Sequence, residues 1–314
     1  MKIKKKISGV VVPMITPAHA DLTVDTVSAE RLVRYLVGYG AAPFVLGTTG
    51  ESASVSRSEK LRLVQAAVQA AVQAAGGKSL VYAGISGNSV TDAIEDAHRY
   101  HDLGADVFVS TMASYYPADD EQMLRYFTML ADRLPAPLII YNIPSTTHLS
   151  VPTEVADRLS AHPNIIGLKD SERDIRRLEH SIALWKDRAD FSFLTGWAAQ
   201  SLYAMQLGAD GVVPGTGNLA PGLYTTICRE TEEAETKEAA MLKAEGLSAI
   251  YQKGRSLSYA LPVLKAMMSA YGLCKPEVLP PMYKLAEEEE RMIRGSLTEQ
   301  FPDLDRINSS GGAL

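Results

Sequence analysis

The sequence predicts an α/β protein, a (β/α)8 TIM barrel with a C-terminal helical extension. Three observations lead there. Eight short β-rich runs recur, at residues 9–14, 43–46, 80–84, 106–110, 137–141, 165–169, 191–195 and 211–213. Most are apolar throughout rather than alternating, as expected of parallel strands buried on both faces. Amphipathic stretches fill the intervals, so strand and helix alternate around a closed barrel. A doubly wound open sheet, the nearest alternative, usually carries a glycine-rich dinucleotide turn after its first strand. Here the first strand runs into Ile15-Thr16-Pro17-Ala18-His19, without a glycine.

The elements follow in chain order. After the first strand, Leu32, Val33, Leu36 and Val37 make one apolar helical face, and Gly40 stops that helix. After the second, Ser56 with Glu59 has capping-box spacing. Leu61, Val64, Ala67, Val68, Ala71 and Val72 form the next face, ended by Gly76-Gly77. Ser89 with Asp92 opens the helix after strand three, and Gly104 closes it. Pro152 suits a first helical turn after strand five, Ser171 with Asp174 repeats the box after strand six, and Gly208 precedes strand eight. Beyond about Leu219 the strand signals stop. Residues 230–253 are rich in Glu, Ala and Lys, with Met241, Leu242 and Leu247 as apolar contacts. Residues 257–271 and 281–293 read as two further helices, with Pro262, Gly272, Pro276, Pro280 and Pro281 in the connections. The acidic block 287–290 reads as the solvated face of the last helix, and Ser309-Ser310-Gly311-Gly312 as a disordered end. The expected division is a catalytic barrel over 1–225 and a helical region over 226–314.

Composition narrows the function. The 314 residues are 46% hydrophobic and 22% charged, the proportions of an ordinary globular protein. A net charge of −6 leaves no electrostatic case for nucleic acid. No run reaches the ~20 apolar residues of a membrane helix. Lys2, Lys4, Lys5 and Lys6 lead into a strand-like run, not into the apolar segment and cleavage site of an export signal. Cys228 and Cys274 lack zinc or redox spacing and read as free thiols of a reducing cytoplasm. The six histidines form no metal-ligand motif, and His98 and His101 read as a solvated helix face.

Catalytic groups of such barrels lie at the C-terminal ends of the strands. Strand six ends in Lys169, a candidate amine nucleophile. Burial disfavours the ammonium form and frees the amine to attack a carbonyl. Strand five ends in Tyr141, placed to move the protons that imine chemistry requires. The bland readings are a strand-capping lysine paired with Asp170 and a core tyrosine. The turn Gly47-Thr48-Thr49-Gly50-Glu51 after strand two offers backbone N–H groups and two hydroxyls to a carboxylate. It also fits a plain strand-to-loop turn. Tyr115, Tyr116 and Pro117 follow strand four, Gly196 follows strand seven, and Val213 stands at strand eight.

Together and in this order, Gly47-Thr48-Thr49-Gly50-Glu51, Tyr115-Tyr116-Pro117, Tyr141-Asn142-Ile143-Pro144 and Gly167-Leu168-Lys169-Asp170 resemble the dihydrodipicolinate synthase / N-acetylneuraminate lyase family. The resemblance covers nearly the whole chain, from Gly9-Val10, Pro13 and Thr16-Pro17 to the segment 262–265. It implies a homo-oligomeric barrel enzyme, a tetramer, that forms an imine between its lysine and a 2-oxo acid, usually pyruvate. No metal or organic cofactor is implied. It further implies that Lys169 is the Schiff-base lysine and Tyr141 the acid–base tyrosine. Thr48 would link Tyr141 to Tyr115 of a neighbouring subunit. Thr49 would hold the substrate carboxylate, with Gly47 and Gly196 beside the substrate and Val213 lining the pocket through its backbone.

Two departures bear on specificity. Family synthases typically read Tyr-Asn-Val-Pro-Ser-Arg-Thr-Gly, and the arginine grips the second substrate's carboxylate. Here Thr146 stands at the arginine and His148 at the glycine. Sialic acid lyases typically carry Asp and Glu after the strand-seven glycine, where this chain has Trp197-Ala198-Ala199. The expected reaction is therefore aldol cleavage or dehydration of a keto-deoxy sugar acid, with Thr146, Thr147, His148 and Trp197 shaping the distal pocket. Dihydrodipicolinate synthase and N-acetylneuraminate lyase are the alternatives within the family. A sugar-acid binding protein that keeps the fold and a phosphate-handling barrel isomerase are the alternatives outside it.

Overall fold

A computed structural model describes residues 5, 7–252, 254–302 and 304. The expected disordered end at 309–312 lies outside the described residues. The strands are β1 (Gly9–Pro13), β2 (Ala42–Val45), β3 (Tyr82–Gly84), β4 (Val107–Ser110), β5 (Leu138–Asn142), β6 (Ile165–Asp170), β7 (Ser192–Thr195) and β8 (Gly211–Val212). All pair in parallel in chain order, and β8 returns to β1 through Gly9↔Gly211 and Val10↔Val212, which closes the barrel. Successive side chains of a strand point to opposite faces. Val10 and Val12 therefore pack outward under the helices. Val11 joins Phe44, Tyr82, Ile139, Tyr141 and Leu194 in a second cluster inside the barrel.

Helices α1 (Thr26–Gly38), α2 (Arg57–Ala75), α3 (Val90–Asp102) and α4 (Asp120–Ala131) follow the first four strands. The short α5 (Pro144–Thr147) and α6 (Thr153–Leu159) follow β5, and α7 (Ile175–Trp185) and α8 (Ser201–Leu207) follow β6 and β7. After β8 come α9 (Pro221–Cys228), α10 (Ala234–Gln252), α11 (Leu257–Ala270) and α12 (Glu287–Gln300).

Several expected signals act differently from their sequence reading. Ser89 caps α3 through the Asp92 N–H, as its spacing predicts. Ser56 stands at the N-cap of α2 without capping a helix N–H; its hydroxyl lies 3.3 Å from that of Ser58, and Glu59 accepts from the Val24 N–H at 2.6 Å instead of closing the box. The cap of α7 is Asp174, not Ser171; it accepts from the Arg177 N–H at 2.9 Å. Pro152 is the N-cap of α6, one place before the first turn, and Pro144 fills the first turn of α5. Pro262 lies inside α11 rather than in a connection. The last helix begins at Glu287, six residues later than expected. The acidic block is thus its first turn, where four carboxylates meet the positive end of the helix dipole.

Candidate active site

Parallel pairing of β5 with β6 sets Tyr141 directly beside Lys169 and Asn142 beside Asp170. Lys169 and Tyr141 point into the barrel mouth, and both are about 95% buried, at 4% and 5% exposure. The Lys169 Nζ lies 3.6 Å from the centroid of the Tyr141 ring and 4.9 Å from that of Phe44. Burial pushes the Lys169 pKa down, while the Tyr141 hydroxyl opposes the shift. Asp170 faces the other way. Its carboxylate accepts from Arg177 Nε at 2.6 Å, from the Glu172 N–H at 2.8 Å and from Asn142 Nδ2 at 3.1 Å. The bland pairing of Lys169 with Asp170 is therefore not made, because consecutive strand residues face opposite sides.

The turn after β2 comes up beside this pair. Leu46 and Glu51 adopt left-handed φ values of 58° and 54°, which fold the intervening segment over the strand end. The Thr16 hydroxyl donates to the Gly50 carbonyl at 2.6 Å, and the Glu51 N–H to the Thr48 carbonyl at 3.1 Å. The Thr48 hydroxyl thereby reaches the Tyr141 hydroxyl at 3.4 Å.

A cavity of about 530 Å³ opens above Lys169, within the usual size of small-molecule sites. Thr48, Thr49, Tyr141, Lys169, Gly196 and Val213 all line it. The Val213 N–H is spent on the Thr195 carbonyl at 2.8 Å, and that of Gly196 on the Asp170 carbonyl at 2.6 Å. Gly196 packs closely here: an added Cβ would stand 2.0 Å from the Ser171 Oγ and 3.1 Å from the Asp170 carbonyl, so Ser171 would have to move.

Other expected residues fall elsewhere. Gly47 does not line the cavity; it packs on Phe44, whose ring would be 2.9 Å from an added Cβ. Thr146 does not line it either, since α5 turns its hydroxyl onto the Ile143 carbonyl at 3.3 Å. The Thr147 hydroxyl is buried against the carbonyls of Ile143 and Leu149, and His148 is exposed at the end of α5. Trp197 is also absent from the lining, though Ala198 contributes. Tyr115 is 75% exposed and stands outside its own chain's cavity, its ring 5.0 Å from that of Tyr116.

The distal wall comes instead from Ser145, from Ser171, Glu172 and Arg173 after β6, and from the helical extension. That extension supplies Ser248, Tyr251 and Gln252 of α10, then Arg255 and Ser256 before α11. No motif marked the residues of the extension in the sequence. Burial pushes the Tyr251 phenol up to about 12, so it enters the cavity as a neutral hydrogen-bond donor. Among the described residues, no three His, Cys, Asp or Glu side chains gather as a metal site, and no helix is long and apolar enough to cross a membrane.

The model of the dihydrodipicolinate synthetase family matches residues 6–300. The chain belongs to this family. It is 31% identical over 291 residues to a 4-hydroxy-tetrahydrodipicolinate synthase of Alkalilimnicola ehrlichii, a match spanning 92% of this chain and 97% of the relative. The dihydrodipicolinate synthase structure from Bacteroides thetaiotaomicron superimposes with a TM-score of 0.87 at 29% identity, covering 94% of this chain and 99% of that one. A chloride-inhibited dihydrodipicolinate synthase from Acinetobacter baumannii, complexed with pyruvate, gives a TM-score of 0.82 at 27% identity, with 94% and 99% covered. Dihydrodipicolinate synthetase family membership makes the chain a class I lyase that forms an imine with a 2-oxo acid.

Proposed function

We propose that this enzyme carries pyruvate as an imine on Lys169 and joins it to, or releases it from, an aldehyde. The observation that carries this reading is the buried Lys169 Nζ, 3.6 Å from the ring of Tyr141. The amine adds to C2 of pyruvate. The C2 oxygen takes up protons and leaves as water, and a C=N bond forms. The imine draws electrons, so C3 loses a proton and becomes an enamine carbon. That carbon bonds to the aldehyde carbon, whose oxygen takes up a proton. Water or a substrate amine then replaces Lys169 at C2 and frees it. Tyr141 moves the protons at the C2 oxygen and at the new hydroxyl, and Thr48 orients the Tyr141 hydroxyl. Thr49 with its N–H binds the pyruvate carboxylate and keeps C3 facing Tyr141. No metal or organic cofactor has a step in this scheme.

For the second substrate, an aldehyde of the aspartate semialdehyde type stands first, because relatives across nearly the full length are named 4-hydroxy-tetrahydrodipicolinate synthases. This reverses the order drawn from the sequence alone. A keto-deoxy sugar acid is the second reading, favoured by the neutral Thr146 where family synthases carry arginine. Two assays test the proposal. Borohydride should fix pyruvate on the wild-type protein as a stable mass gain, and absence of trapping would exclude an imine. Pyruvate with aspartate semialdehyde, run beside cleavage and dehydration of keto-deoxy sugar acids, should favour the semialdehyde. Turnover of the sugar acids alone would reverse the order again.

A further inference from the structure

The distal end of the cavity holds two arginines that no part of the proposed chemistry uses. Arg173 follows β6 by three residues, and Arg255 stands between α10 and α11. Both line the same cavity as Lys169. Arg173 Nη2 donates to Gln252 Oε1 at 2.9 Å, which draws its guanidinium toward α10. Its charge is near enough to act on the Tyr251 phenol in the same wall. Arg255 Nη1 donates to the Ile250 carbonyl at 2.9 Å, the last turn of α10.

Among the described residues neither arginine has a carboxylate partner, whereas Arg34, Arg57, Arg62, Arg99, Arg177 and Arg188 are each ion-paired. The one acidic side chain in the lining, Glu172, is already held by Ser150 Oγ at 2.6 Å and Asn142 Nδ2 at 2.9 Å. On a chain of net charge −6, this leaves a local excess of cation at the mouth of a cavity. Guanidinium forks are the side chains best shaped to receive a carboxylate.

We propose that Arg173 and Arg255 form an anion site that takes the distal carboxylate of the second substrate, in place of the guanidinium missing at position 146. The substrate class is an aldehyde bearing its own carboxylate or, in the cleavage direction, a 2-oxo dicarboxylic acid. This inference rests on the reading of the cavity as the substrate site. The positive end is delivered by the segment after β6 and by the helical extension, not by the turn after β5.

Calorimetric titration with 2-oxoadipate and with 2-oxohexanoate, equal in chain length and differing in the distal carboxylate, tests it without requiring turnover. Wild-type protein should bind 2-oxoadipate about ten- to hundred-fold more tightly, the worth of one charge-assisted contact. Arg173→Gln and Arg255→Gln should each shrink that ratio, and the double variant should bring it near one. Pyruvate trapping by borohydride should stay unchanged in all three. Equal affinities in the wild type, or a ratio that neither substitution moves, would overturn the anion site. Arg173 is exposed, so Arg173→Gln tests the site even if Arg255→Gln loosens the end of α10. Loss of pyruvate trapping in the wild type, with an arginine-dependent preference for the dicarboxylate intact, would sink the imine reading and leave the anion site standing.

Discussion

At Lys169 two effects act on one ammonium group. The barrel interior withholds solvent and lowers the pKa from its ordinary 10.5, while the Tyr141 hydroxyl pulls the other way. Burial prevails, and imine formation needs the free amine. The rate of pyruvate trapping should therefore rise with pH through the lowered value and level off before pH 10.5. A plateau reached only above the ordinary lysine value would contradict this. The same shift acts on stability. The unfolded lysine holds its proton more tightly than the folded one, so stability rises with pH between the folded and unfolded values. Below the folded value the full penalty remains. Lys169→Met should accordingly raise the unfolding midpoint at neutral pH while abolishing borohydride trapping. Tyr141→Phe should keep pyruvate binding and lower turnover by ~10²–10⁴, the usual worth of acid–base catalysis. An unchanged turnover number would remove Tyr141 from the chemistry.

At the scale of elements, the Thr48–Thr49 turn depends on the helical extension. Glu51 ends the turn, and its carboxylate is ion-paired with Lys265 of α11, both side chains at or below 1% exposure. The other Glu51 oxygen accepts from the Leu279 N–H at 2.7 Å, and Lys265 Nζ donates to the Glu277 carbonyl at 2.6 Å. One buried pair thus joins the turn, α11 and the segment after it. Removing one partner strands a buried charge, at a cost of about 3–5 kcal/mol. Glu51→Gln and Lys265→Met should each lower the unfolding free energy by that amount, read as a fall in the urea midpoint at unchanged slope. The double variant should cost clearly less than the sum. Strict additivity would mean that the two groups do not interact. The element also explains the position of Thr146: a four-residue helix turns that side chain onto its own backbone, so a short residue there cannot reach the cavity.

At the scale of the molecule, the rim carries an unusual aromatic pair. Tyr115 and Tyr116 are 75% and 76% exposed on the loop after β4, far more than large aromatic rings normally show. Asn88 Oδ1 accepts the N–H of Ser114 and that of Tyr115, each at 3.0 Å, which holds the loop outward. The pair is expected to be covered by a second copy of the chain, with Tyr115 reaching toward the neighbour's Thr48. Sedimentation should find an assembly of at least two chains. Tyr115→Phe should leave the fold intact and lower turnover by about ten-fold, the worth of a transition-state hydrogen bond. A monomer with full activity would rule out the shared site.

What the sequence determined by itself was local. Apolar runs of strand length, helix periods between them and the residue that ends each run need only near neighbours to be read, so the barrel, the strand-end positions of Lys169 and Tyr141 and the place of Thr48 in the turn after β2 were legible. The sequence reading starts the last helix at Pro281, whereas the helix begins at Glu287, where four carboxylates meet the positive end of its dipole. Tertiary structure alone decided the rest. The pairing of Tyr141 with Lys169 is a matter of strand register, which no single run encodes. The bond from Arg173 to Gln252 spans 79 residues and joins the segment after β6 to the end of α10. Such a contact leaves no periodic trace in either segment. The sequence places the distal wall at Thr146, Thr147, His148 and Trp197, next to the catalytic strands, whereas it stands on Ser145, on the segment after β6 and on side chains that folding brings from the far end of the chain.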